Sequence, residues 1–131
     1  MAEPVQIEAG RIGKVVYARL APNEDLVHGI QSICIAQGMR HALVRCGLGS
    51  LVGACLDLPG GQRPVGAGPA VEVLSLFGEV RAHPDGAWHA DLSAVVVDAA
   101  GQVVSGAMVA GANLVFATFE VTLEEWLPQA A

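Results

Sequence analysis

Alternating apolar and polar positions predict that the chain is built mainly of strands. Its most apolar stretch is residues 71–78, Val-Glu-Val-Leu-Ser-Leu-Phe-Gly. Strict alternation divides these side chains into two sets, with Val71, Val73, Ser75 and Phe77 on one face and Glu72, Leu74, Leu76 and Gly78 on the other. A strand that is apolar on both faces is usually central and covered on each side. Glu72 is the exception, because a carboxylate in a covered strand needs a partner or a wet cavity.

Six further segments have the composition of strands. They are residues 11–20, 41–46, 51–58, 87–97, 102–109 and 114–123. Residues 83–86 (His-Pro-Asp-Gly) and 98–101 (Asp-Ala-Ala-Gly) read as turns between strands. We interpret Gly47, Gly49 and Ser50 as a tight turn motif that joins two strands, with a bulge at the glycines as the alternative. The glycine- and proline-rich residues 59–69 are interpreted as a mobile loop.

One helix is predicted after the first strand. Asn23 can cap it, and Glu24 and Asp25 complement the positive end of the helix dipole. An apolar stripe at helical spacing follows, formed by Leu26, Ile30, Ile33 and Cys34. The helix is predicted to end at Gly38.

The order of strand, helix and then six strands predicts the α+β class, as an α/β sandwich. We expect a mainly antiparallel sheet of about seven strands, with one principal helix packed on one face. At 131 residues the chain is long enough for one domain. Residues 1–10 are predicted to be a flexible leader, residues 11–125 the domain and residues 126–131 a tail.

Composition and net charge limit the kinds of molecule that the chain is expected to bind. Hydrophobic residues make up 53 % of the chain and charged residues 15 %, so other subunits are expected to cover part of the surface. The net charge of −6, with seven scattered basic residues, disfavours nucleic-acid binding. Three cysteines without close spacing, and no export signal, predict reduced thiols in a cytoplasmic protein. No apolar run reaches membrane-spanning length, so no membrane partner is expected.

Three blocks of residues carry a family signature. They are the predicted helix with residues 47–51, residues 68–78, and residues 88–93 (Trp-His-Ala-Asp-Leu-Ser) with 98–104 (Asp-Ala-Ala-Gly-Gln-Val-Val). These blocks resemble the plant and prokaryote conserved domain, the module that follows AT-hooks in plant nuclear proteins and stands alone in prokaryotes. The match runs from about Gly13 to Glu124, and the sequence contains no AT-hook. The resemblance implies a compact α/β sandwich that assembles as a homotrimer.

Two positions depart from the family pattern. The hairpin strand commonly continues Gly-Gly-His, where this chain has Ser105, Gly106 and Ala107, and Val71 replaces the phenylalanine of the signature. The histidine missing at Ala107 was the most obvious metal partner for the family histidine, which corresponds to His89. We therefore expect no cofactor, with a divalent transition metal such as zinc at His89 as the alternative.

His89 and Glu72 are the main binding candidates. His89 contacts a metal or small ligand, shared with Glu72, or it is a structural histidine at a subunit contact. The structural role is favoured, because a metal site normally needs three or more converging ligands. Outside such a site, Glu72 is expected to pair with Arg45 or Arg81. Ser75 and Gly78 of the signature strand complete the binding candidates, and no catalytic residue is assigned.

Three functions are compatible with these observations. The first is a non-enzymatic trimeric module that acts through protein–protein contacts or through a small ligand at the subunit interface. The second is an enzyme or metal-binding protein with an inter-subunit pocket around His89 and Glu72. The third, a DNA-binding regulator as the family is often labelled, has the least support from the charge.

Overall fold

The chain forms one eight-stranded sheet covered on one face by a helix, in a computed structural model that describes residues 4–65 and 70–130. The elements in chain order are β1 (Gly10–Leu20), α1 (Leu26–Gln37), β2 (His41–Leu51), β3 (Ala54–Leu58), β4 (Gly61–Val65), β5 (Val71–Ala82), β6 (Trp88–Val97), β7 (Val103–Met108) and β8 (Val115–Pro128). The strand order is β1-β8-β2-β5-β6-β7-β3-β4, and every neighbouring pair is antiparallel. The predicted α+β class with one principal helix is confirmed. The sheet has eight strands, whereas about seven were predicted.

The helix begins and ends through local capping. Asp25, and not Asn23 as predicted, is the N-cap, and its carboxylate accepts a hydrogen bond from the His28 backbone N–H at 2.9 Å. Asn23 instead adopts a positive φ of 69° in the preceding turn. Gly38 ends the helix with φ 66°, as predicted. Within the described residues, no helix has the length and apolar run needed to cross a membrane.

Strand β2 is continuous where a turn motif was predicted. Gly47 and Gly49 lie inside the strand, paired with β8, so the predicted turn at Gly47, Gly49 and Ser50 is wrong. The alternative of a bulge agrees with the register, which shifts between Gly49 and Leu51. A side chain at Gly47 would lie 2.9 Å from the ring of Phe119, and one at Gly49 would run into the Thr118 carbonyl. These glycines therefore allow close packing between strands, which is a use of glycine that a sequence pattern does not separate from a turn.

The predicted mobile loop at residues 59–69 is also corrected. Residues Gly61–Val65 form β4, which pairs with β3 so that Leu58 lies opposite Gly61. Gly60 and Gly61 both have positive φ, at 96° and 121°, as a tight hairpin connection requires. The glycine-rich composition therefore marked a hairpin, and residues 66–69 of the predicted loop lie outside the described residues.

The core lies between α1 and the face of the sheet that the helix covers, here called the inner face. Helix residues Leu26, Ile30 and Cys34 are fully buried against it. Strand β5 contributes four buried side chains, those of Val71, Val73, Leu76 and Val80. Strict alternation placed Leu76 on the opposite face from Val71, and this is wrong because a bulge between Val73 and Ser75 shifts the phase by one residue.

Gly78 of the signature strand is required by packing. Its φ is 132°, and a Cβ there would collide with the Asp91 carbonyl of β6. We expect Gly78→Ala to lower the free energy of unfolding by about 2 kcal/mol through backbone strain and overpacking. Urea denaturation measures this loss. Gly86→Ala is the comparison, because Gly86 also has positive φ (91°) but has open space around the added methyl group. An equal loss in both variants would show that φ alone, and not contact with β6, constrains Gly78.

Candidate functional site: the uncovered face of the sheet

The face of the sheet opposite α1, here called the outer face, is covered by no element among residues 4–65 and 70–130. Seven large apolar side chains on it are between 46 and 65 % exposed: Val15, Tyr17, Leu48, Leu74, Phe77, Val103 and Phe116. The strand registers place them on the same side, opposite the side chains that face the core. Strand β5 is interior to the sheet as predicted, but within one chain it is covered on its inner face alone.

Glu72 lies on the outer face, exposed, with Ser50 of β2 and Val97 of β6 opposite it in the ladder. The expected ion pair with Arg45 or Arg81 is wrong, because both arginines bond to other carboxylates at 2.6 and 2.7 Å. No basic side chain of the described residues lies within ion-pair distance of Glu72. The carboxylate is therefore hydrated in a single chain and stands among apolar neighbours.

His89 lies at the other end of the outer face. It is paired with Arg81 of β5 and makes an edge-to-face contact with the His83 ring at 4.5 Å. Arg81 is nine positions from Glu72 along β5, a distance of about 30 Å in an extended strand. The structure therefore does not bring His89 and Glu72 together within one chain.

A metal site at His89 has one possible further ligand beside it, His83, and lacks a third among the described residues. Ala107, where the family has histidine, lies opposite Ser93 on the outer face. Among residues 4–65 and 70–130, no three His, Cys, Asp or Glu side chains converge in a way that would hold a metal ion. Within the part of one chain that the structure describes there is no metal centre of three ligands, and the role of His89 as a ligand stays a prediction.

The other two binding candidates have different surroundings. Ser75 is exposed on the outer face beside the bulge in β5, opposite Val95. Gly78 contributes no side chain and is fixed by its contact with β6. Ser75 is thus available to a partner, whereas the packing at Gly78 already accounts for its presence.

The polar end of the outer face contains a cluster that the sequence did not reveal. The Glu79 carboxylate accepts a hydrogen bond from Arg81 Nε at 2.7 Å, and its second oxygen lies 3.0 Å from His41 Nε2. The hydrogen bond from Arg81, and then that from His41, lowers the pKa of Glu79 below its usual value of 4.5. His41 opens β2 and is half-buried in this cluster. Its partner is 38 positions away, so no local pattern signals the pair.

Because of this cluster, the free energy of unfolding is expected to fall when the pH becomes acidic. Because the pKa of Glu79 is lower in the folded chain, the unfolded chain takes up its proton first as the pH falls. The contribution of Glu79 is thus complete above about pH 4.5 and is lost as the pH drops through the lowered value. We expect urea titrations at about pH 6 and pH 3.5, at one protein concentration, to show a smaller loss of stability in Glu79→Gln than in the wild type. Equal losses would contradict the role of Glu79.

Comparisons with known proteins address the fold. A family model, described as the Plants and Prokaryotes Conserved (PCC) domain, matches residues 7–127. A metal-containing protein from Archaeoglobus fulgidus is similar, with TM-score 0.76 and 21 % identity, covering 96 % of this chain and 89 % of that one. A plant- and prokaryote-conserved (PPC) protein from Pyrococcus horikoshii has TM-score 0.74 and 22 % identity, with coverages of 95 % and 87 %.

A third solved structure, of a candidate DNA-binding protein from Bacteroides thetaiotaomicron, has TM-score 0.73 and 13 % identity, with coverages of 88 % and 83 %. At these identities the likeness shows the fold alone. A search of curated proteins finds no match.

Proposed function

The chain belongs to the Plants and Prokaryotes Conserved (PCC) domain family, and we propose that it is a self-assembling module whose outer face packs against other copies of the chain in a homotrimer. The observation that carries the proposal is the set of large apolar side chains on that face, among them Tyr17, Leu48 and Phe77 at 62, 65 and 50 % exposure. Monomeric proteins rarely leave so broad an apolar surface in water. The number of copies rests on the family resemblance, and the exposed face supports the assembly itself.

Assembly also bears on the ligand-binding role proposed for the interface. His89 and Glu72 are about 30 Å apart along one sheet, so a pocket that contains both must take them from different copies. A carboxylate such as Glu72 that becomes covered needs a donor, and one chain supplies no basic partner for it among the described residues. The interface is therefore the place where a small ligand or a neighbouring copy would meet Glu72. An enzymatic role for the same pocket is the second form of this proposal.

DNA binding, the description carried by the Bacteroides relative, is the weaker proposal for this chain. Three of its seven basic residues, Arg19, Arg45 and Arg81, are each bonded to a carboxylate at 2.6–2.8 Å. Pairing of this kind leaves few cations to neutralise phosphates, and the net charge of −6 opposes the approach of a polyanion.

Thiol labelling tests whether the outer face is covered. Cys46 lies on this face opposite Thr122 and is exposed in a single chain. We expect it to react several-fold more slowly with a neutral alkylating reagent in concentrated native protein than in protein diluted until it dissociates. Cys34 is the internal reference, because it is buried and burial raises its pKa to about 11, so its thiol stays unreactive in both samples. If Cys46 reacts equally fast in both samples, the face is open.

A further inference from the structure

A cleft lies at the end of the sheet where β2 begins. Its volume is about 650 Å³, within the range of sites for small molecules. Its polar lining comes from the basic residues Arg40, His41 and Arg81 and from the acidic residues Glu8 and Glu125. Its apolar lining includes Trp126 and Pro84. No residue of the three signature blocks lines it. Glu72 lies about 30 Å from it along β5, whereas His89 lies beside it, paired with the lining residue Arg81.

Arg40 offers an uncommitted guanidinium to this cleft. Its backbone carbonyl accepts a hydrogen bond from the Ala82 N–H at 2.7 Å, which fixes the residue where α1 leads into β2. Its side chain is exposed, and no carboxylate among the described residues lies within ion-pair distance of it. A guanidinium presents several N–H donors in a planar fork that matches the two oxygens of a carboxylate.

Arg81 and His41 are held in place beside Arg40. Glu79 bonds to Arg81 through Nε alone, which leaves the two terminal nitrogens of that guanidinium as donors. Glu79 also bonds to His41 through Nε2, which leaves Nδ1 for another partner. One carboxylate outside the cleft therefore orients two of the groups that line it, which is the arrangement of a preorganised binding site.

Trp126 forms a fixed apolar wall. Its indole Nε1 donates to Glu8 Oε1 at 2.7 Å, and its ring lies against the backbone of Gly10, where an added Cβ would be 2.6 Å from it. A cleft lined by both an aromatic ring and a guanidinium suits a flat ligand body with an acidic group at one end.

The charged residues at the cleft determine how many negative charges a bound ligand can carry. Glu8 accepts an N–H bond from Trp126, and Glu125 accepts one from the Lys14 backbone. Of the two arginines in the lining, Arg81 already bonds to Glu79, whereas Arg40 has no carboxylate within ion-pair distance among the described residues. A ligand with one negative charge gains directed hydrogen bonds from Arg40 and Arg81, whereas a dianion is repelled more strongly by the neighbouring carboxylates.

We propose that this cleft binds a small aromatic carboxylate, with its carboxylate on Arg40 and Arg81 and its ring against Trp126. Every group involved comes from one chain, so a monomer contains the whole site. The assignment adds a ligand site to a protein whose proposed role is assembly.

Fluorescence of Trp126 measures binding directly in a Trp88→Phe variant, since the chain has two tryptophans. We expect benzoate to change the emission saturably, phenyl phosphate to bind more weakly and benzylamine not to bind. Arg40→Gln should weaken benzoate binding at least about tenfold, because hydrogen bonds to charged groups of this kind are lost. Arg11→Gln is the matched control, because it removes the same charge from an exposed arginine that does not line this cleft.

Ligand-observed NMR on the unmodified protein repeats the titration without the Trp88 substitution. Absence of benzoate binding by both methods would overturn the proposal, as would tighter binding of benzylamine or phenyl phosphate. An equal loss in Arg40→Gln and Arg11→Gln would show that bulk charge, and not the cleft, attracts the anion. A monomeric variant that still binds benzoate would support this site even if the trimer proposal fails.

Discussion

Replacement of Leu48 and Phe77 together by lysine is expected to turn the assembled protein into monomers that remain folded. Both side chains stand on the outer face, on the neighbouring interior strands β2 and β5, and are 65 and 50 % exposed in a single chain. Burial of each at an interface contributes about 1.5–3 kcal/mol, and a covered lysine would reverse that gain. Because neither side chain belongs to the core, circular dichroism should be unchanged.

A control separates loss of the interface from loss of apolar surface in general. Ile35 on α1 is 47 % exposed, similar to the 50 % of Phe77, but it lies on the helix side of the molecule. Ile35→Lys should retain the mass of the wild type in size-exclusion chromatography with light scattering, while the double variant should elute as a 13.5 kDa chain. The outer face is not the interface if the double variant keeps the wild-type mass, or if Ile35→Lys dissociates equally.

Asn113→Ala should lower the free energy of unfolding by about 3 kcal/mol. Asn113 is fully buried, and its side chain makes three hydrogen bonds. The amide oxygen accepts from the Cys55 N–H at 2.9 Å, and the amide nitrogen donates to the carbonyls of Cys55 and Val109 at 3.1 and 2.9 Å. Its backbone N–H donates to the helix cap Asp25 at 3.0 Å. One side chain thus fixes the loop before β8 against β3, next to the start of α1.

Urea denaturation of Asn113→Ala against the wild type measures this effect. Gln102→Ala is the control, because Gln102 is exposed in a turn and its substitution should change stability by less than about 0.5 kcal/mol. A loss below about 1 kcal/mol in Asn113→Ala would mean that water replaces the three hydrogen bonds and that the loop is not clamped.

Local patterns in the sequence were sufficient for most elements of the fold. The helix followed from an apolar stripe and from Gly38, and the hairpin at residues 98–101 followed from its turn residues, with Gly101 at a positive φ of 84°. Errors arose where packing between distant strands decides the conformation. Gly47 and Gly49 are indistinguishable from turn glycines until Phe119 and Thr118 of β8 are placed beside them. The bulge in β5 likewise has no local signal, and it reversed the predicted face of Leu76.

The candidate site was less accessible to sequence analysis, for a related reason. An apolar strand face looks the same whether a helix or another subunit covers it, so β5 was expected to be covered on both sides. The cluster of His41, Glu79 and Arg81 depends on the pairing of β2 with β5, which the spacing of these residues does not encode. His89 and Glu72 were linked by the family signature, and only the strand register separates them.

The mass of the native protein in solution tests the account most directly. Light scattering at micromolar concentration is predicted to give about 40 kDa, the mass of three 13.5 kDa chains. On dilution the mass should fall towards that of one chain as the outer faces separate. A mass of 13.5 kDa at every concentration would contradict the proposed assembly and would leave the apolar outer face without an explanation.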